Sequence, residues 1–103
     1  MAYAVGFHPT ARAELRQIYQ YIADKSGSRI ALNHIHGIWE YFISLASFPQ
    51  RGLEYPEIMP GLRILGYRRS ASIAFVIRGE RITILGVFSA GREISPDMLT
   101  GRL

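Results

Sequence analysis

The chain has 103 residues, 49% of them apolar, with no cysteine and a formal net charge of +4. That length gives one domain, residues 1–103, able to bury roughly two-thirds of its unfolded surface, and the composition excludes a disordered chain, disulfides, thiolate metal sites and cysteine nucleophiles. No apolar run approaches the roughly 20 residues of a membrane span, and the N-terminus lacks a basic-then-apolar export signal, so a soluble cytoplasmic protein is expected.

Tyr3, Val5 and Phe7 alternate with Ala4 and Gly6, which predicts a short first strand. His8-Pro9-Thr10 stops it. Thr10 is placed to cap the helix that follows, with Glu14 in the first turn near the positive dipole end. Leu15, Ile18, Tyr19 and Ile22 recur at helical spacing for about four turns, with Arg12, Arg16 and Gln20 opposite. Ser26-Gly27-Ser28 ends this helix and caps a second, from about residue 29 to 47, whose inward residues are Ala31, Ile35, Ile38, Phe42 and Leu45. Phe48-Pro49 terminates it. So short a connection predicts an antiparallel helical hairpin. Gln50 to Gly61, with its prolines and glycines, reads as an irregular, ordered crossover.

Gly61 to Glu93 then packs three strand-like runs. Ile73, Phe75 and Ile77 alternate with Ala74 and Val76, and Ile82, Ile84 and Phe88 alternate with Thr83, Leu85 and Val87. Apolar residues on both faces predict central strands covered on each side. Gly79-Glu80, a two-residue loop with glycine first, suits the primed turn of a tight hairpin. The order predicts an α+β fold: an N-terminal strand, an antiparallel helical hairpin, then a three-stranded antiparallel run completing a mainly antiparallel sheet.

Acidic and basic groups balance in residues 1–60, so the whole net charge sits in residues 61–103, on arginines. Such asymmetry marks a polyanion-binding face or a site for an acidic partner; the alternative is ordinary solubility at strand edges. Arg63, Arg68, Arg69 and Arg92 flank the strands, and a sheet could bring Arg92 near the Arg63 end. Clustered guanidiniums hold a phosphate, dock on a nucleic-acid backbone or meet an acidic protein. On the residues alone, catalysis ranks behind binding and plain solvation.

Other chemistry is less legible. His34 and His36 point roughly 200° apart on a helix and cannot chelate one ion from one face; with His8 on another element, no metal and no cofactor are expected. Ser70, Ser72 and Ser89 lack a Gly-x-Ser-x-Gly elbow, and no phosphate loop is present, so no catalytic residue is assigned. Tyr21, Tyr41 and Ile43 lie off the inward stripes of their helices. They either widen the buried face or form a groove for a partner's helix, with a strand added at the sheet edge.

Three stretches together, FHPTARAELRQIYQYIA, FPQRGLEYPEIMPGLR and SIAFVIRGERITILGVFSAGRE, resemble the RelE/ParE superfamily of toxins from bacterial type II toxin–antitoxin modules, over nearly the whole chain. RelE-like members resemble ribosome-dependent mRNA endoribonucleases; ParE-like members poison DNA gyrase. On the ribonuclease pattern Arg63 and Arg92 stand at or near basic positions. Leu65 and Ser72, however, stand where those enzymes carry lysine and arginine, Ser89 where related members often carry histidine, and no tyrosine or histidine follows Phe88. The resemblance therefore leans to the ParE-like branch. It implies a gyrase inhibitor acting by binding, neutralised by a ParD-like antitoxin in a hetero-oligomer, with DNA contact mainly through the antitoxin. Two alternatives stay open: an mRNA endoribonuclease, and an inactive homologue kept as an antitoxin-binding module. In the ParE-like reading Arg63, Arg68, Arg69 and Arg92 contact the partner or target, and Tyr21, Tyr41 and Ile43 form the antitoxin groove.

Overall fold

Pro9 opens the first helix in the computed structural model, which describes residues 3–89, 92, 94–99 and 101–102. Proline suits the first helical position, where its missing N–H has no intrahelical partner to lose. The short strand β1 (Ala4–Phe7) leads through His8 into α1 (Pro9–Ser26). His8, in an extended conformation, is the cap: its Nδ1 accepts from the Thr10 N–H at 3.1 Å. Thr10 itself is already helical, so the cap lies two residues earlier than predicted. Glu14 falls past the first turn, and its carboxylate turns to the sheet instead of the helix dipole.

Gly27, at a φ of 96°, takes the chain directly from α1 into α2 (Ser28–Leu45). A left-handed glycine makes this reversal without steric penalty. Ser28 is inside α2, and no side-chain cap bond forms at Gly27. The rest of the chain supplies β2 (Leu53–Glu54), β3 (Leu62–Tyr67), β4 (Ala71–Arg78), β5 (Arg81–Ser89) and α3 (Pro96–Leu99). The sheet runs β1-β5-β4-β3-β2, antiparallel except for β1, which pairs parallel to β5. The α+β architecture is therefore the one expected, with two additions. Both β2 and α3 are too short to leave a periodic signal in the sequence.

Apolar residues on both faces of β4 and β5 do build two cores. Toward the helices, Ile73, Phe75, Ile82, Ile84 and Val87 pack with Leu15, Ile38, Phe42 and Leu45. On the far face, Ala74, Val76, Leu85 and Phe88 pack with Leu62 and Leu99, under residues of the crossover and the C-terminal segment. One register detail departs from strict alternation. The β4–β5 pairing shifts between Ala74 and Phe75, which pair with Gly86 and Ile84 and leave Leu85 as the extra residue. Such a bulge inverts the facing of everything beyond it. Phe88 therefore joins the far core and Val87 the helix-side core, the reverse of the predicted grouping. The Gly79-Glu80 loop forms as predicted, with positive φ at Gly79 alone, the primed form with glycine first.

Tyr67 closes the helix-side core. Its ring is buried and meets Tyr41 edge-on at 4.7 Å and His34 at 5.6 Å. A Cβ at position 37 would sit 1.9 Å from its hydroxyl, so Gly37 is what lets α2 approach the sheet here. Among the described residues, no helix is long and apolar enough to cross a membrane.

Candidate binding cleft

The turn from β3 to β4 is made by Arg68 and Arg69, both in the left-handed region with φ of 46° and 59°. The Ser70 N–H closes it on the Tyr67 carbonyl at 2.9 Å. A turn with two positive φ values normally takes Asn-Gly or its kin, and another L-residue there costs about 1–2 kcal/mol. The arginines are held in this strained turn by the sheet pairing on each side of it.

Beside that turn opens a cleft of about 490 Å³, walled by α1 (Gln17, Ile18, Tyr21), by His34 of α2 and by the end of β5, with Arg69 and Arg92 among its lining residues. The strand register puts them together. Tyr67 pairs with Ala71 and Ala71 with Ser89, so β5 ends at the Arg68–Arg69 end of the sheet. Arg92 lies over the Phe88 ring at 5.7 Å, and Arg68 over Tyr67 at 5.3 Å. Among the described residues, no carboxylate lies within ion-pair distance of Arg68, Arg69 or Arg92.

Glu14 is the one described carboxylate on the cleft wall, and it is engaged elsewhere. It accepts from the Val87 N–H at 3.1 Å and from Arg102 at 3.0 Å. Arg102 also donates to the Leu85 carbonyl at 3.1 Å, and both charged side chains are only 13–14% exposed. This pair answers the β5 bulge: the backbone groups flanking Gly86 find side-chain partners. A Cβ on Gly86 would come within 2.6 Å of the Arg102 guanidinium, so glycine leaves room for it.

His34 was not selected from the sequence, yet it faces this cleft. Its Nε2 is 3.3 Å from Ser70 Oγ, and Ser70 Oγ in turn donates to the Tyr67 carbonyl at 3.1 Å. These two contacts set the Ser70 hydroxyl between the His34 ring and a backbone carbonyl. Burial and then the nearby Arg68 charge lower the His34 pKa below 6.5, favouring the neutral ring. The signal was available. His34 is three residues after Ala31 and four before Ile38, both buried, so it shares their side of α2.

Arg63 does not line this cleft. It pairs across the sheet with Phe75, roughly 13 Å of strand from Tyr67. Its guanidinium binds Glu54 at 2.8 Å and the Arg51 carbonyl at 3.4 Å, tying β2 and the crossover to β3.

Tyr21, Tyr41 and Ile43 are likewise not neighbours. Tyr21 is exposed on the cleft wall. Tyr41 is half-buried against Tyr67, with Arg51 over its ring at 5.2 Å, and serves the core. Ile43 is exposed on the outer face of α2, at helical spacing with exposed Leu32 and Trp39. Beside this stripe a shallow groove is lined by Arg12, Arg16, Tyr19 and Ile35.

The family model described as the ParE toxin of type II toxin-antitoxin system, parDE, matches residues 5–94. A chain of the chromosomal ParDE system of P. aeruginosa is 27% identical, covering 86% of this chain and 97% of that one, with a TM-score of 0.74. A chain of the RelBE2 toxin-antitoxin complex of Mycobacterium tuberculosis is 20% identical over 89% of this chain and 95% of that one, with a TM-score of 0.61. A mutant E. coli toxin RelE in the free state is 18% identical over 88% and 86%, with a TM-score of 0.59. At these identities the last two bear on the fold alone. No curated protein matches the chain.

Proposed function

We propose, from the premise that this chain belongs to the ParE toxin family of type II toxin–antitoxin systems, that it is a one-domain cytoplasmic toxin which inhibits DNA gyrase by binding and is neutralised by a ParD-like antitoxin. The observation that carries the binding mechanism is the open end of the sheet, where Arg68, Arg69 and Arg92 gather without a described carboxylate partner. Arginines with no acidic partner among the described residues suit contact with an acidic surface or a nucleic-acid backbone. The positions where a ribonuclease carries working groups support the same reading. Leu65 packs into the helix-side core, Ser72 and Ser89 offer no group that titrates near neutrality, and the His34 ring is held by Ser70.

The antitoxin contact is the outer face of the hairpin. Leu32, Trp39 and Ile43 present an exposed apolar stripe, and Arg12 and Arg16 border the groove beside it. An amphipathic helix with acidic flanks fits that surface. Of Tyr21, Tyr41 and Ile43, singled out from the sequence, Ile43 alone belongs to it. The hetero-oligomer then meets DNA mainly through the antitoxin.

The test is a gyrase supercoiling assay beside a translating-ribosome assay, each with purified toxin. Supercoiling falls, messenger RNA stays intact, and charge reversal at Arg68 and Arg69 together relieves the inhibition. Cleaved codons on the ribosome overturn this reading in favour of an mRNA endoribonuclease. Tight antitoxin binding with neither activity overturns it in favour of an inactive, antitoxin-binding homologue.

A further inference from the structure

We propose that the cleft between α1, His34 and the end of β5 is a nucleotide-binding site, with the phosphate on Arg69 and Arg92 and the base against Tyr21. This goes beyond gyrase inhibition and does not depend on it, because the two are read in separate assays.

The donors point to a phosphate. Arg69 and Arg92 line one cleft, exposed Ser89 adds a hydroxyl beside them, and Glu14, the one described acid there, is committed to Arg102 and the Val87 N–H. Planar guanidinium forks match the oxygens of a phosphate two at a time. Both arginines also arise from fixed points: Arg69 from a turn bonded at each end to the sheet, Arg92 from a position over the Phe88 ring. Side chains placed in advance lose less freedom when the ligand arrives.

The backbone adds an independent reason. Arg68 and Arg69 occupy left-handed positions that asparagine and glycine fill at less strain. Strain of this kind persists where the side chains do something that the relaxed residues cannot.

The aromatic wall selects a nucleotide over a bare anion. Tyr21 is 64% exposed and faces the cleft, and the Lys25 ammonium lies 5.1 Å from its ring. An exposed ring beside cations is the arrangement on which unpaired bases stack. The volume, about 490 Å³, is that of a small-ligand site. An acidic side chain from a protein would engage one guanidinium fork and leave the other fork and the ring idle. A nucleotide uses all three.

The shared chemistry has two sources, a free nucleoside monophosphate or an unpaired DNA strand. Titration of the full chain with inorganic phosphate, deoxyadenosine monophosphate, a short single-stranded deoxyadenosine oligomer and a polyglutamate peptide separates them. The monophosphate is expected to bind about tenfold more tightly than inorganic phosphate, a gain of the size that one stacked base gives. Tyr21→Ala should erase that gain, and Arg69→Gln with Arg92→Gln should abolish binding of every nucleotide probe. Binding of both nucleotide probes marks the free nucleotide as sufficient, and binding of the oligomer alone marks the strand as ligand; either supports the site. Arg68→Asn with Arg69→Gly guards against unfolding, since it should raise the melting temperature while binding is lost. Measurable binding of phosphate and the monophosphate with equal affinity, preference for polyglutamate, no binding of any nucleotide probe, or full binding by the double glutamine variant overturns the proposal.

Discussion

Two sets of arginines on one sheet have opposite fates. Arg63 and Arg102 are largely buried and each meets a glutamate, Glu54 at 2.8 Å and Glu14 at 3.0 Å, and each also donates to a backbone carbonyl. Arg68, Arg69 and Arg92 gather at the sheet end with no described acid beside them. The first set holds the crossover and the C-terminal segment against the strands. The second contributes nothing comparable to the fold, and its turn is strained. Positive charge by itself therefore says little about role; the presence of a local counter-charge decides it.

That contrast can be broken most sharply at Glu14. Glu14→Ala leaves the Arg102 guanidinium and the Val87 N–H without their partner in a mostly buried setting. A loss of about 1–3 kcal/mol is expected, read as a lower urea midpoint at unchanged slope. Stability within error of the parent would mean that the pair does not hold the C-terminal segment. Glu54→Gln acts on the more exposed pair, whose carboxylate is 67% exposed. Its expected cost is about 0.2–1 kcal/mol, while Arg69→Gln at the open end should stay within about 0.5 kcal/mol of the parent. A larger loss from Arg69→Gln than from Glu54→Gln would reverse the assignment of roles.

The smallest effect is a pH dependence centred on His34. Its folded pKa lies below the unfolded value of 6.5, so between the two the unfolded chain binds more protons. Stability is therefore full above 6.5 and declines as pH falls from 6.5 through the folded pKa. His34→Gln should flatten that limb of the profile, measured by urea midpoints at stepped pH. An unchanged limb would assign it to other groups.

Much of the fold could be read from the chain because its signals are local. The helical spacing of Leu15, Ile18 and Ile22, the alternation along β4, and Gly79 at the hairpin each express backbone geometry within a few residues. The misreadings are equally physical. One extra residue at Leu85 inverted Phe88 and Val87, because strand facing has a period of two. Thr10 lost the cap to His8 because the helix began at Pro9.

The site was legible only in part. Arg68, Arg69 and Arg92 could be named as candidates from charge alone, but their union, and the separation of Arg63, came from the strand register. His34 and Glu14 reach the same place from α2 and α1, and Glu14 pairs with a residue 88 positions away. Sequence by itself determined the longer elements, their order and the family, since these rest on short-range periodicity and contiguous motifs. Tertiary structure alone decided which described charges meet a described counter-charge, because a counter-charge is set by distance in space and not by position along the chain.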